Sequence, residues 1–472
     1  MIHHYRFLTL LVAFLLAGCA VGPHYTPPVP QNPVVQEYKE GGNWKTAAPG
    51  DEIQKGKWWE VFKDPQLNSL EQQIDVSNQN LKAANASFEQ ARALIRQNRS
   101  GLYPTANSGA SITGIHQSEN RPLGHANYTD YTVPVNLSYE ADVWGRVKHT
   151  IEGSRAVAQA SAADLETVNL SLHAELAADY FELHGLDAEQ QLLDSTVEAY
   201  QKALDLTQNR FKGGVASQAD VAKAETQLET TRAQAVDVGI QRSLFEHAMA
   251  VLVGKSASTF TLPTSPLTAT PPSIPTGLPS ELLERRPDIA AAERRVAAAN
   301  TQIGITRAAF FPVLSLQAPT GLESASLATW LTGPSALFGL GPAALIPLFD
   351  AGRRRAVSDQ SKAAYEQATA SYQQTVLAAF QDVENSLAEA RILEDEAMIQ
   401  DKAVAAAEHS LEVSTNRYRG GLATYLDVSV AQSIALDDER AAVQILKRRN
   451  TAAVQLIRAL GGGWNTSYLP SN

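Results

Sequence analysis

Apolar positions along this chain change period, then run through the same changes a second time. Helical spacing holds from Arg146 to Lys212, where Leu193, Val197, Tyr200, Leu204 and Phe211 trace a coiled-coil seam. Those 67 residues, as one helix, reach roughly 100 Å, longer than any compact domain accommodates. Upstream the period drops to two. Asn107 to His116 and Tyr131 to Asp142 alternate as strands, with Tyr131, Val133, Val135, Leu137 and Tyr139 on one face and Thr132, Asn136 and Ser138 on the other. Before them, Asp64-Pro65 reads as an N-cap with proline at the first helical position, opening a helix to about Leu102. After the long helix, a return helix from about Ser217 to Val253 covers only half the way back. Six prolines between Phe260 and Pro279 then forbid helix, and Leu282 to Pro312 supplies the missing half.

From Phe311-Pro312 the pattern repeats. Gly145-Arg146 matches Gly352-Arg353, Val197 and Leu204 match Val404 and Leu411, and Gly254 matches Gly461, all at an offset of 207 residues. Upstream, Ala83, Ala91, Ile95 and Pro104 match Ala291, Ala299, Ile303 and Pro312 at an offset of 208, so the one-residue change falls within the strand hairpin.

The best-matched stretch is NRFKGGVASQADV (Asn209 to Val221), which returns as NRYRGGLATYLDV (Asn416 to Val428). Arginine, aromatic and basic residue close a helix with positive charge at its C-terminal dipole, and the glycine pair supplies the positive φ needed to leave it. Ser217 with Asp220, and Thr424 with Asp427, read as capping boxes that open the return helix. Each copy is therefore the tip of a helical hairpin.

Composition narrows the setting. Of 472 residues, 44% are apolar, and Lys+Arg 39 against Asp+Glu 50 gives a net charge of −11, which argues against nucleic acid as a partner. The apolar run Phe7 to Ala17 is too short to span a bilayer and reads as the core of a signal peptide. It ends in Leu16-Ala17-Gly18-Cys19, which resembles the bacterial lipoprotein cleavage box and makes the single cysteine the lipidated first residue of the mature chain. No later run approaches the ~18 apolar residues of a membrane helix, so any crossing must use strands. Two strand hairpins make four strands, which cannot close a barrel alone; three copies give twelve. Trp44, Trp58 and Trp59 are expected to dock the segment after the proline-rich tether, Pro23 to Pro33, onto an apolar surface.

RRPDIAAAERRVAAANTQIGITRAAFFP (Arg285 to Pro312) is very similar to the signature of the TolC-like outer-membrane factors, in the lipoprotein branch found with resistance-nodulation-division efflux pumps. CAVGPHYTPP (Cys19 to Pro28) resembles that branch's mature N-terminus, and PLFDAGRRR (Pro347 to Arg355) its strand-to-helix junction. The resemblance implies a mainly α fold with a membrane β-barrel. In it, a trimeric twelve-stranded outer-membrane barrel, four strands per chain, continues into a long α-helical periplasmic barrel. The corresponding segments are a lipoprotein signal peptide, 1–18; a lipid-anchored tether and equatorial segment, 19–66; and a first repeat, 67–254, with hairpin 103–143 and tip 209–221. A proline-rich equatorial linker, 255–280, leads to a second repeat, 281–461, with hairpin 311–350 and tip 416–428, and a tail, 462–472. The second hairpin alternates poorly around Gly333-Pro334 and Gly341-Pro342.

The implied function is a passive outer-membrane exit duct fed by an inner-membrane pump through a periplasmic adaptor, with no cofactor beyond the lipid on Cys19. In a trimer, Asp220 and Asp427 each form a carboxylate ring near the narrow end, and by resemblance Arg210, Arg417 and Tyr418 link the tip closed. Gly213, Gly214, Val215, Gly420, Gly421 and Leu422 form the tip on which the adaptor docks. Ala219 and Ala423 stand where some members place polar gate groups. A type I secretion duct and a periplasmic coiled-coil scaffold or adaptor lipoprotein are the alternatives.

Enzyme chemistry finds no foothold. Gly254-Lys-Ser lacks the first glycine of a phosphate-binding loop, Met249 standing in its place, and Gly339-Leu-Gly341 lacks the helix that a dinucleotide fingerprint needs. His173 and His184 lie eleven apart without a third ligand and read as surface histidines.

Overall fold

A computed structural model describes residues 21–28, 38–40, 57–118, 120, 127–274 and 282–470. The signal peptide, Cys19 and Trp44 lie outside the described residues.

Asp64 opens the first helix by accepting hydrogen bonds from the Gln66 and Leu67 amides at 2.8 and 3.1 Å. The expected single helix to Leu102 is in fact two, α1 (Pro65–Ser77) and α2 (Gln79–Arg99), followed by a short 3-10 turn. Asn78 makes the break. It leaves helical geometry at ψ 127, caps α2 by accepting from Leu81 N–H at 3.0 Å, and donates its side-chain amide to the Leu252 carbonyl at 2.8 Å. Satisfying a buried carbonyl 174 residues away outweighs helix continuity.

The first hairpin consists of β1 (Thr105–Ser108), β2 (Ser111–His116) and β3 (Asn127–Ala141). β1 and β2 are one strand path, pairing with β3 in a continuous register and interrupted opposite Pro134, which has no amide to donate. Gly145, at φ 77, turns the chain into α3 (Arg146–Lys212), and α4 (Gln218–Leu252) returns. The second repeat follows as α5 (Leu282–Arg285), α6 (Pro287–Ala308), β4 (Val313–Ser324), β5 (Ala336–Phe338), β6 (Gly341–Leu345), α7 (Arg353–Arg419) and α8 (Tyr425–Ala459). α3 and α7 are both 67 residues, and α4 and α8 both 35, so the halves match in length as well as in order.

The poorly alternating second hairpin resolves in the same way as the first. β5 and β6 pair with β4 in one register, broken opposite Pro319. The sheet is thus four antiparallel paths, β1/β2, β3, β4 and β5/β6, with β3 and β4 joined along eleven residue pairs. One face carries Tyr131, Val133, Val135, Leu137 and Tyr139 opposite Ser324, Leu322, Thr320, Ala318 and Leu316. The other carries Thr132, Asn136, Ser138 and Glu140 opposite Glu323, Pro319, Gln317 and Ser315. Gly321 faces Pro134, where a Cβ would meet the Val133 carbonyl oxygen at 2.3 Å.

Next to the strands the helices run in the order α2, α3, α6, α7; farther away the order is α4, α3, α8, α7. Where the two levels meet lies the largest apolar core, with Trp58, Trp59, Leu67, Ile74, Leu176, Phe181, Met249, Val454 and Ile457. Trp58 and Trp59 dock there as their sequence suggested.

The histidines differ from expectation: His173 and His184 are 2% and 3% exposed. His173 stacks on Trp59 with ring centroids 4.3 Å apart and bridges Glu71, at 2.6 Å, and Asp75, at 3.2 Å, on α1. His184 Nδ1 lies 2.6 Å from the Ser265 carbonyl and 3.1 Å from Asp187, whose carboxylate also accepts from Arg242 at 2.7 Å and from Ser265 N–H at 3.0 Å. His173 fastens α1 onto α3, and His184 fastens the extended segment around Ser265, so both point inward rather than to water. These side chains converge from distant parts of the chain, so their spacing on α3 gave no sign of burial.

Burial alone would lower the His173 pKa, but hydrogen bonds with Asp75 and Glu71, and the charges of both, outweigh it and hold it at about 9. A histidine with a raised folded-state pKa stabilises fully below its ordinary value, about 6.5, and that stability fades as pH rises through about 9. Calorimetric melting of the purified protein should therefore fall between pH 7 and 10. His173→Gln should cost about 1–3 kcal/mol at neutral pH and flatten that decline; a wild-type melt that rises over this window would refute the assignment.

Candidate functional site

The two tips lie at the end of the helices remote from the sheet and close by identical bonds. In the first, Val215 N–H donates to the Arg210 carbonyl and Gly214 N–H to the Phe211 carbonyl, both at 2.9 Å. In the second, Leu422 N–H donates to the Arg417 carbonyl at 2.8 Å and Gly421 N–H to the Tyr418 carbonyl at 3.0 Å. This Schellman closure needs a left-handed residue, and Gly214 and Gly421 both sit at φ 76. Neither has any atom within 4 Å of where a Cβ would stand. Gly213 and Gly420 are likewise exposed, and Val215 and Leu422 are 67% and 75% exposed, so each apex presents bare backbone beside one apolar side chain.

The capping boxes form as the sequence implied. Asp220 accepts from Ser217 N–H at 3.0 Å and from its hydroxyl at 2.8 Å, while Asp220 N–H donates to Ser217 Oγ at 3.1 Å. Asp427 accepts from Thr424 N–H and from its hydroxyl, both at 2.9 Å. The Thr424 amide and hydroxyl, and then the Arg417 charge, hold the Asp427 carboxyl below the usual carboxylate range.

Of the remaining candidates, the fold brings Arg210 and Tyr418 together from different repeats. The Arg210 guanidinium lies 4.6 Å from the Tyr418 ring centroid, and its Nη1 donates to the Arg419 carbonyl at 3.3 Å. Tyr418 is buried, its hydroxyl donating to Thr207 Oγ1 at 3.3 Å and its ring meeting Tyr425 edge-on at 5.6 Å. Arg417 stays exposed beside Asp427, and Asp220 keeps to its own cap, apart from the Arg210–Tyr418 contact.

Phe211, expected in the coiled-coil seam, is 42% exposed, whereas Tyr418 at the equivalent position of the second repeat is 4% exposed. Within one chain, α8 packs against α3 and gives Tyr418 a neighbour; among the described residues, the outer edge of the first hairpin has none. Thr207, Tyr425 and the network above them were not anticipated. Ser429 donates to Gln227 Oε1 at 2.7 Å, Gln227 Nε2 donates to Ser433 Oγ at 2.9 Å, and Tyr200 donates to the Gln432 carbonyl at 3.1 Å. Their trace in the sequence is a difference between copies: Phe211 becomes Tyr418 and Gln218 becomes Tyr425.

Gly254, at φ 68, ends α4 against the Ser77 carbonyl, and Gly339 and Gly341 flank the break between β5 and β6. Among the described residues, no three His, Cys, Asp or Glu side chains are placed to hold a metal. No described helix is long and apolar enough to cross a membrane.

The tips, the paired repeats and the two-faced sheet have close counterparts. The sequence model of the family described as outer membrane efflux protein matches residues 70–255 and 278–462. A probable efflux pump outer membrane protein of Pseudomonas putida, TtgC, is 30% identical over 467 residues, spanning 96% of this chain and 94% of that protein. The pyoverdine export outer membrane protein OpmQ of Pseudomonas aeruginosa is 31% identical over 473 residues, covering 97% of each. Among solved structures, the outer-membrane channel OprN superposes with a TM-score of 0.88 at 29% identity, over 94% of this chain and 100% of that one. Both halves of the chain are matched and the full architecture is shared: the chain belongs to the outer membrane efflux protein family.

Proposed function

We propose that three copies of this chain close a twelve-stranded barrel in the outer membrane and a helical tube in the periplasm. Through this duct an inner-membrane pump, joined by a periplasmic adaptor, expels small molecules, and Cys19 anchors each copy by a covalent lipid. The observation that carries this reading is the pair of unfinished lateral edges. The sheet ends in β1/β2 on one side and β5/β6 on the other, each without a partner strand among the described residues. Below it, apolar side chains are exposed on the same two sides, Val236, Ile240 and Leu244 on α4 and Leu377, Ile392 and Ile399 on α7. The repeat supplies the rule for joining them: α7 meets a neighbour's α2 and α4 as α3 meets α6 and α8 within the chain.

In such a ring, six hairpin tips converge. Asp220 and Asp427 supply two rings of three carboxylates, a cation-attracting constriction. The Arg210–Tyr418 stack ties the two hairpins of each chain, while Arg417 and Phe211 stand at opposite outer edges for links between chains. The bare apices at Gly213, Gly214, Gly420 and Gly421, with Val215 and Leu422, admit a close backbone approach from the adaptor's own helical hairpin.

Two experiments test these assignments. In planar bilayers the wild-type protein should form cation-preferring pores. Arg210→Ala, which removes a contact worth roughly 0.5–2 kcal/mol in each of three subunits, should raise single-channel conductance severalfold. Asp220→Asn with Asp427→Asn should bring the cation-to-anion permeability ratio close to one, and an unchanged ratio would remove the carboxylate filter. Separately, Gly214→Trp or Gly421→Trp should abolish drug resistance in cells while trimer recovery from outer membranes stays at the wild-type level. Full resistance in either variant would count against tip docking.

A further inference from the structure

Where α3 leaves the strands, residues 21–25, at the start of the tether, fold back onto α3 and α6 and roof a polar cavity. Val21 N–H donates to the Trp144 carbonyl at 3.1 Å, and Asn300 Nδ2 donates to the Pro23 carbonyl at 3.2 Å. The Tyr25 hydroxyl bonds the Glu293 carboxylate, with the Arg294 guanidinium 5.8 Å from its ring centroid. His149 is wedged between two backbones: a Cβ at Gly22 would lie 2.9 Å from its ring, and one at Gly304 2.6 Å. Beneath this roof is a cavity of about 390 Å³, walled by Lys148, Glu152, Arg155, Gln159 and Arg294. Its volume falls among those of small-ligand sites, roughly 300–1,000 Å³.

The charges in it are not paired off. Lys148, Glu152 and Arg155 lie on one face of α3, four and three residues apart. Glu152 engages His149 Nδ1 at 3.0 Å through Oε2, which leaves its other oxygen available. The Lys148 and Arg155 side chains have no hydrogen-bond or ion-pair partner among the described residues. Two unpaired cations beside a carboxylate, in one cavity, complement a zwitterion: a phosphate on the cations and a protonated primary amine on the carboxylate.

The position of the cavity says where such a zwitterion comes from. Trp144, stacked on Phe311 at 4.6 Å, sits at the end of the membrane strands, as aromatic residues do at the membrane–water boundary. Lys148 is within one helical turn of the start of α3, and Arg155 is about 14 Å along it. The headgroup layer on each side of a bilayer is roughly 5–8 Å deep; Lys148 lies within that depth, and the Arg155 side chain, leaning toward the N-terminus of α3 as helical side chains do, reaches back toward it from below. Its two walls, α3 and α6, belong to the same chain, and α2 and α7 flank them, so the cavity does not lie on an edge that a neighbouring copy would cover.

We propose that this cavity binds the headgroup of a primary-amine phospholipid, phosphatidylethanolamine, from the periplasmic leaflet, with its phosphate on Lys148 and Arg155 and its ammonium on Glu152. The inference rests on the outer-membrane setting of the strands. A bound lipid would brace residues 21–25 against α3 and α6.

Native mass spectrometry of the full-length protein, delipidated in detergent and titrated with palmitoyl-oleoyl phosphatidylethanolamine, palmitoyl-oleoyl phosphatidylcholine or inorganic phosphate, tests this. One adduct per chain is expected with phosphatidylethanolamine, at least fivefold tighter than with phosphatidylcholine, whose quaternary ammonium has no N–H to donate. Lys148→Gln with Arg155→Gln should weaken that adduct at least fivefold, and Glu152→Gln should erase the preference between the two lipids. Equal binding by wild-type and doubly substituted protein would overturn the proposal. Binding of inorganic phosphate as tight as that of the lipid would mark a free-anion site and overturn it as well. Pore formation by these variants in planar bilayers should match wild type, which separates failure of this site from failure of the duct reading.

Discussion

A sheet edge inside a bilayer has no water to satisfy it, and this constraint governs the proposed assembly. The four strand paths of one chain end in two open edges, and no other described strand pairs with them. Pro134 and Pro319 interrupt the outer ladders, yet the registers of β1/β2 and β5/β6 continue past them. Each interruption costs only local bonds, and each sheet edge stays long enough to template a neighbour. The helices carry the same unfinished character, with apolar side chains of α4 and α7 exposed on the two flanks. A self-contained fold would bury them; in the proposed ring they face the neighbouring copy.

Halfway down, the structure changes from one set of helix neighbours to another, and polar chemistry secures the change. α4 and α8 are half as long as α3 and α7, so the remaining length must be filled by α2, α6 and extended segments. Extended segments bring unpaired backbone groups into a packed interior. Asn78, His184, Asp187 and Arg242 answer these demands with buried hydrogen bonds, and His173 ties α1 to α3 by its bonds to Glu71 and Asp75. The apolar core around Trp58 and Trp59 seals the same level.

At the tips the two repeats cease to be equivalent. Glycine closures and caps are conserved between the copies because turning a helix back on itself has few backbone solutions. The side chains around them diverge, since Tyr418 and Tyr425 pack within the chain while Phe211 looks outward. A pseudo-symmetric pair of hairpins thereby gains one internal seam and one external seam. In the proposed trimer, loosening the external seam alone would part neighbouring copies while each copy's own two hairpins stayed joined.

Much of this was legible in the sequence. The 67-residue helices, the glycine tips, both capping boxes and the 207-residue repeat follow from local rules: period, dipole compensation, positive φ and side-chain capping act within a few residues of themselves. The tertiary structure alone decided what depends on distant partners. It split the first helix at Asn78 to satisfy Leu252, buried His173 against α1 and His184 against the proline-rich linker, and set Arg210 on Tyr418 across 208 residues. It also aligned the second strand pair, whose glycines and prolines hide the alternation while the ladder to β4 fixes the register. Local backbone preferences are written in neighbouring letters. The pairing of buried polar groups is chosen only when the chain folds and each must find a partner away from water.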